Sequence, residues 1–365
     1  MGGARLSGIL QLPSRLAALA GEPRARADRL IDVHGVAGHT VPPAALEPWL
    51  QATFGSVDAV RQQSMVRVTN LATLEGTVFA PLRSRRPIDG HDGAGDLAGE
   101  IAATEGDPFC DPLQGTPADT FGRVRGARMV SGANAALADA HHAVLVFDEH
   151  DPLAFDAEVV GDLFSTAREW ANAARAKDPG ATAFLLIWNC LWRAGGSIVH
   201  GHAQALVGAA HHAQVERFRR DSALHRARHG VDLVSDLVDV HRDLGLAVDH
   251  EGVAILSHLV PTKEREVLVI APPGTDERDA SFSSAVARAL LTLRDRLGVR
   301  SFNLALWRPP LANAGAEWES FPTMVRIVDR GDPFSRPSDI GAMELYGTSI
   351  VGGDPYDVIA ALREA

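Results

Sequence analysis

Residues 189–204 read NCLWRAGGSIVHGHAQ. His200, His202 and Gln204 stand at alternate positions. Successive side chains of a strand point to opposite faces, so an extended segment presents two imidazoles and a carboxamide on one face. Gly201 and Ala203 between them are small enough for another layer to pack closely behind. Just upstream, Arg193-Ala194-Gly195-Gly196-Ser197 is a glycine-rich turn, whose backbone N–H groups and hydroxyl suit an anion. A neutral imidazole can attack phosphorus and form a covalent phosphoramidate, dividing one hard displacement into two easier ones. A carboxamide donates to a non-bridging oxygen but shuttles no proton. It therefore suits a leaving group that departs without strong acid, such as a phosphate ester leaving a diphosphate.

Around this segment the chain states one order twice. HHAVLVFDEHDP is a strand running into a loop, AEVVGDLFSTAREWANAARAKD a helix, AFLLIWN a strand ending on an asparagine, and IVHGHAQALVG another strand. Further on come EREVLVIAPPGTD, SSAVARALLTLRDRLG, SFNLALW and TMVRIVDRG, again strand, helix, strand and strand. Two copies of similar length predict a duplicated unit rather than a solenoid. Only the first copy carries the histidines. Upstream, MVRVTNLATLEGTVFAPLRSRRP predicts a strand pair turning at Glu75-Gly76. Residues 1–64 read as a helical extension from spacings such as ALEPWLQATF. Residues 88–106, rich in Gly and Asp, predict a mobile surface loop. The tail reads as a strand or turn and a short helix. The expected division is 1–64, 65–235 and 236–365.

Composition narrows the function. The 365 residues suffice for one large domain or two ordinary ones with a sizeable core. A formal net charge of -11 argues against a general nucleic-acid binder or a membrane-surface protein. Basic clusters then read as sites for small anions. Two cysteines, Cys110 and Cys190, exclude a disulfide framework and point to a reducing compartment. No apolar run of about 18 residues exists to span a membrane, and the interrupted first residues do not read as a signal peptide. The expected location is the cytoplasm.

The pair His200-x-His202 alone reads as well as two satisfied histidines on a surface strand. The longer pattern Asn189-x5-Gly195-x-Ser197-x2-His200-x-His202-x-Gln204 resembles the galactose-1-phosphate uridylyltransferase branch of the histidine-triad superfamily, which also holds dinucleoside-polyphosphate phosphorylases. The resemblance implies an α+β fold of two histidine-triad-like units in a mostly antiparallel sheet flanked by helices. It implies His202 as the nucleophile that carries a nucleoside monophosphate. Gln204 would hold the phosphoryl oxygens, Gly195 and Ser197 (with Gly196 beside them) the phosphate, and Asn189 the geometry of the site. Pro81-x-Arg83-x-x-Arg86-Pro87 is similar to an early family segment whose arginines grip phosphates. Asn134 in VSGANAAL sits where the family has an asparagine near the nucleotide.

Family members often hold a structural zinc with a CxxC pair, a histidine about fifty residues before the HxH motif, and the first HxH histidine. Here the set is Asp107, Cys110, His150 and His200, with a carboxylate replacing one thiolate, chemically acceptable for zinc. His250 and His258 do not make a second metal site, and Cys190 reads as core. His211, His212, His225 and His229 read as a solvated helix face. The expected activity is nucleotidyl transfer from a nucleotide sugar, or another nucleoside diphosphate derivative, to a phosphorylated acceptor, in a homodimer. A phosphorylase or hydrolase of dinucleoside polyphosphates or nucleotide sugars using the same histidine is the first alternative. A non-catalytic nucleotide-binding protein is the second. The resemblance is sharp at 81–87 and 189–204, follows 65–365 in outline, and leaves the first 64 residues unmatched.

Overall fold

Two sheets carry the molecule, described by a computed structural model over residues 8–85, 95–312, 314–336 and 340–365. The smaller contains β1 (Ile31–His39), β2 (Gln62–Asn70), β3 (Gly76–Phe79) and, from the far end of the chain, β13 (Thr348–Val351). The larger is built from β4 (Met129–Ala133), β5 (His141–Phe147), β6 (Ala183–Cys190), β7 (His202–Gly208), β8 (Ala247–His250), β9 (Val253–Ser257), β10 (Glu264–Ile270), β11 (Phe302–Trp307) and β12 (Met324–Asp329). Its order is β4-β5-β7-β6-β11-β12-β10-β9-β8, with every neighbour antiparallel. The fold is α+β, as expected.

The duplication is visible in the strand order. β5, the helix Ala157–Lys177, β6 and β7 give the order 5-7-6, and β10, the helix Ala280–Asp295, β11 and β12 give 10-12-11. The two units meet edge to edge where β6 pairs with β11, and there Asn189 lies opposite Asn303.

One face of the sheet is apolar because alternate strand residues are. Leu145, Ala203, Ala205, Leu186 and Trp188 line it and are fully buried against Val160, Phe164, Ala167 and Trp170 of the helix Ala157–Lys177. That helix begins where Asp156 accepts a hydrogen bond from the Val159 N–H, and it carries Arg175 and Lys177 in its last turn, both matched to the helix dipole. Trp188 makes edge-on contacts at 5.0 Å with Phe147 and Phe155 and at 5.1 Å with Phe302, the last from the second unit. Truncating such a ring to alanine costs about 3–5 kcal/mol, so this cluster is a principal bond between the units.

The other face carries His202, Gln204 and Asn189. Register places Val144, Gln204, Ile187, Ala305, Arg326 and Leu268 side by side across the sheet. On that face the second unit presents Met324, Arg326 and Val328 where the first has His202, Gln204 and Leu206.

Three expectations need correction. Residues 1–64 are helical over Leu12–Ala18, Gly21–Leu30 and Glu47–Phe54, but Ile31–His39 is a strand paired with β2 from Ile31↔Asn70 to His39↔Gln62. Its β-branched residues favour extension, its glycines do not, and pairing with β2 supplies the hydrogen bonds that hold it extended. This segment shares the common core: Ile9, Leu12 and Leu30 are buried with Val358 and Ile359 of the helix Pro355–Glu364. A cut at 64/65 would fall inside β2, and one at 235/236 inside the helix Leu233–Asp243. Finally, Leu97–Ala102 within the expected loop is a helix capped by the Asp96 carboxylate on the Gly99 N–H, while residues 86–94 lie outside those described.

Candidate active site and metal cluster

β7 starts at His202, and the preceding residues are held to the end of β5. The Phe147 N–H donates to Gly201 O at 2.9 Å, and the Gly201 N–H donates to His150 O at 3.0 Å. A Cβ at Gly201 would meet Phe147 Cδ2 at 3.0 Å and Glu149 O at 3.1 Å, so only glycine lets the segments approach this closely. That approach brings His150 and His200 together.

Four donors converge there. His150 Nδ1 and His200 Nδ1 are 3.1 Å apart, and Cys110 Sγ lies 3.3 Å from the first and 3.5 Å from the second. Asp107 Oδ1 is 3.9 Å from His200 Nδ1. A tetrahedral ion with N ligands at about 2.0–2.1 Å and S at about 2.3 Å has edges of roughly 3.3–3.6 Å, so the spacing fits. The proton inventory fits as well. His200 Nε2 donates to Phe147 O at 2.8 Å, and His150 Nε2 donates to Ile101 O at 3.1 Å. Each neutral ring therefore turns a lone pair inward, and two lone pairs at this distance repel without a cation between them. The buried Asp107 Oδ2 has no hydrogen-bond partner, a further acceptor awaiting positive charge. Asp107, Cys110, His150 and His200 thus form the expected set, and among the described residues it is the one cluster of its kind.

His202 Nδ1 donates to His200 O at 2.8 Å, which leaves its lone pair on Nε2. Burial pushes its pKa down, and that of His200 likewise, which favours the neutral ring. Phe109 meets the His202 ring edge-on at 5.0 Å and packs with Val144, Val146 and Ile198, giving the imidazole an apolar wall. A cavity of about 520 Å³ opens beside this wall, lined among others by Phe109, Arg123, Arg125, Val130 and His200.

Gln204 and Asn189 share the polar face with His202. The Asn303 Nδ2 donates to Asn189 Oδ1 at 2.7 Å and to Ala194 O at 2.8 Å, and Arg330 donates to Asn303 Oδ1. The Asn189 NH2 group thereby faces away from Asn303. Gln204 Oε1 receives a hydrogen bond from His142 Nε2 at 2.9 Å. Asn303 and His142 had no assigned role in the sequence. Asn303 was visible as the second asparagine of a repeated strand, whereas a lone His142 carries no signal of its own.

The glycine-rich turn works differently from expectation. The Gly195 N–H donates to Trp192 O and the Gly196 N–H to Leu191 O, each at 3.0 Å, so these groups close the turn instead of facing a ligand. Gly195 has φ +91°, and a Cβ at Gly196 would lie 3.0 Å from Asn189 O and Leu191 O, so both glycines are there for backbone shape. Ser197 is exposed beyond them. Asn134 Nδ2 sits 3.2 Å from His142 Nε2, bringing it into the Gln204 neighbourhood. Arg83 is exposed on the short helix Pro81–Arg85, which packs beside Glu47–Phe54 and β13, and Arg86 lies outside the described residues.

Of the histidines read as a solvated face, His225 is buried and bonded to Asp236 at 2.8 Å, while Arg29 grips the same carboxylate. His211 packs on Trp318 with ring centroids 4.7 Å apart. Cys190 is fully buried, and burial pushes its thiol pKa far up, as suits a core residue.

No family model matches the chain, and no curated protein matches it. Solved structures do. An ADP-glucose phosphorylase from Arabidopsis thaliana with bound ADP-glucose superposes with TM-score 0.62 at 16% identity, over 80% of this chain and 97% of that one. A protein from Arabidopsis thaliana described as GalT-like gives 0.58 at 17% identity, over 72% and 93%. A uridylyltransferase gives 0.54 at 17%, over 68% and 88%. The chain has the fold of these proteins.

Proposed function

We propose that the chain is a nucleotidyltransferase that moves a nucleoside monophosphate from a nucleotide sugar, or a related nucleoside diphosphate derivative, to a phosphate acceptor through nucleotidyl-His202. The observation that carries this is the His202 Nδ1–H bond to the His200 carbonyl, which fixes the lone pair on Nε2, on a side chain whose sheet face also carries Gln204 and Asn189. Nε2 attacks the α-phosphorus, a P–N bond forms, and the P–O bond to the leaving phosphate breaks with its electron pair on that oxygen. The charge gained by the ring is held by the Nδ1–H contact with the carbonyl. A phosphate oxygen of the acceptor then attacks phosphorus, and the lone pair returns to Nε2. Donor and acceptor both react as anions, so no general acid is needed. The amide N–H groups of Gln204 and Asn189 stabilise the non-bridging oxygens, and Ser197, Arg83 and Arg86 are assigned to the phosphates.

The cavity beside Phe109 is of a size to take a nucleoside. Zinc is the ion proposed for Asp107, Cys110, His150 and His200. Its part is structural: it would fasten the 104–111 segment and the end of β5 to the start of β7. A nucleotide sugar as donor agrees with the name of the ADP-glucose phosphorylase that shares the fold. The reading extends to a cytoplasmic homodimer, for which sedimentation checks the oligomeric state. Two free cysteines agree with a reducing compartment.

Intact-protein mass spectrometry after mixing with UDP-glucose, ADP-glucose, GDP-mannose and diadenosine tetraphosphate tests this. The expected result is one nucleoside monophosphate adduct, absent in His202→Ala. Chasing the adduct with inorganic phosphate or a sugar phosphate identifies the acceptor. An unlabelled wild type that still binds nucleotide in a thermal-shift screen would establish the binding-only alternative instead.

A further inference from the structure

We infer that His142 is a positioning residue that locks the Gln204 carboxamide as a hydrogen-bond donor to the transferred phosphoryl group; the inference rests on the nucleotidyl-transfer reading. His142 lies on β5, two residues before Val144, which pairs with Gln204 across to β7. It is 4% exposed. Nδ1 has one neighbour and Nε2 has two, Gln204 Oε1 at 2.9 Å and Asn134 Nδ2 at 3.2 Å, so it is the Nδ1 contact that decides the tautomer. The Ala138 N–H donates to Nδ1 at 3.1 Å, so Nδ1 carries a lone pair and no proton. The ring N–H is then on Nε2, and of its two neighbours only Gln204 Oε1, at 2.9 Å, can accept it. Flipping the Gln204 amide would set a second NH2 group, beside that of Asn134, against that N–H and leave it no acceptor. Oε1 is therefore pinned toward His142, and the NH2 group is directed elsewhere.

The consequence is chemical. A free glutamine offers either end of its amide, and a carbonyl oxygen turned toward a phosphoryl group repels it. With Oε1 pinned, Gln204 only donates, the polarity that an acceptor-only phosphoryl oxygen requires. Asn134 adds support from the same side: its N–H donates to His142 O at 2.8 Å, and its Oδ1 accepts from the Ala136 N–H at 3.0 Å, which shapes the turn that brings Ala138 onto Nδ1. The amide is thus oriented before any ligand arrives.

The test compares wild type with His142→Leu and His142→Gln. Leucine removes the donor, whereas glutamine keeps an N–H near the Nε2 position. Single-turnover labelling of His202 is followed with whichever donor labels the wild type, together with steady-state KM and the melting temperature. The expected result is labelling slowed by about 10- to 100-fold in His142→Leu, less than the loss of a whole donor because Gln204 is still present. KM should stay within about threefold, and His142→Gln should recover most of the rate. A wild-type rate in His142→Leu, or equal loss in both variants, would overturn the inference while leaving nucleotidyl transfer standing. Absence of labelling in the wild type with every donor is the failure of the broader reading, and it shows before any variant is compared.

Discussion

A single thiolate separates the cluster at Cys110 from an all-nitrogen and oxygen site, and this decides what it will hold. Sulfur favours a borderline-soft ion, and the Asp107 carboxylate weakens that preference without removing it. The purified chain should carry about one zinc per molecule. Cys110→Ser should lose it, with affinity falling on the order of 100-fold or more, beyond the range of a second-shell change. Asp107→Cys should hold the ion longer against a chelator. Elemental analysis of the three proteins checks all of this, and an Asp107→Cys protein that releases the metal faster would contradict the assigned ligand set. This cluster was legible because its residue types are rare in combination and His150 stands fifty positions before His200. His142 was not, since its role comes from a tautomer set by a turn four residues away. His225 was misread for a related reason: in a helix rich in arginine and histidine, the buried pairing with Asp236 depends on another helix that the local pattern does not show.

At the seam between β6 and β11 the second unit, which has no counterpart of the His200-x-His202 pair, reaches the polar face of the first. Asn303, from the second unit, donates to Asn189 and to the carbonyl of Ala194, so the second unit orients a residue of the first unit's site and anchors its glycine turn. Asn303→Ala should lower the rate of His202 labelling by about tenfold, with a modest cost in stability of about 1–3 kcal/mol from the partners left unsatisfied. Labelling kinetics and a denaturant melt read the two effects separately, and an unchanged rate would show that Asn189 needs no partner. The strands and the doubled order were visible because period-two alternation and helix spacing are local signals. β1 was not, because its strand character depends on β2 and its sequence is rich in glycine.

At the scale of the molecule, the two halves treat the same sheet face in opposite ways. The first sets His202, Gln204 and Asn189 on it. The second buries an ion pair in which Arg326 Nε donates to Glu266 Oε1 at 2.7 Å, and it places two histidines in its interior. His241 donates from Nδ1 to Leu237 O at 2.7 Å and accepts from the Leu259 N–H at 3.1 Å, so it has no room for a second proton. His258 stacks on it at 5.6 Å, and the Arg326 charge is close to His258. Burial pushes the His241 pKa down to about 4, from about 6.5 for an exposed imidazole. The folded state then binds fewer protons than the unfolded one. The stability linked to His241 is full above about pH 6.5 and is lost as pH falls toward 4, up to about 3 kcal/mol. Burial and the neighbouring charges depress His258 in the same direction, which steepens the loss. Melting temperature should therefore fall between pH 7 and 5. His241→Gln, which keeps an acceptor for the Leu259 N–H and does not titrate, should lose less over that interval despite a lower starting stability. Parallel melts of the two proteins in matched buffers decide it: equal slopes would show that His241 is not a source of the acid sensitivity.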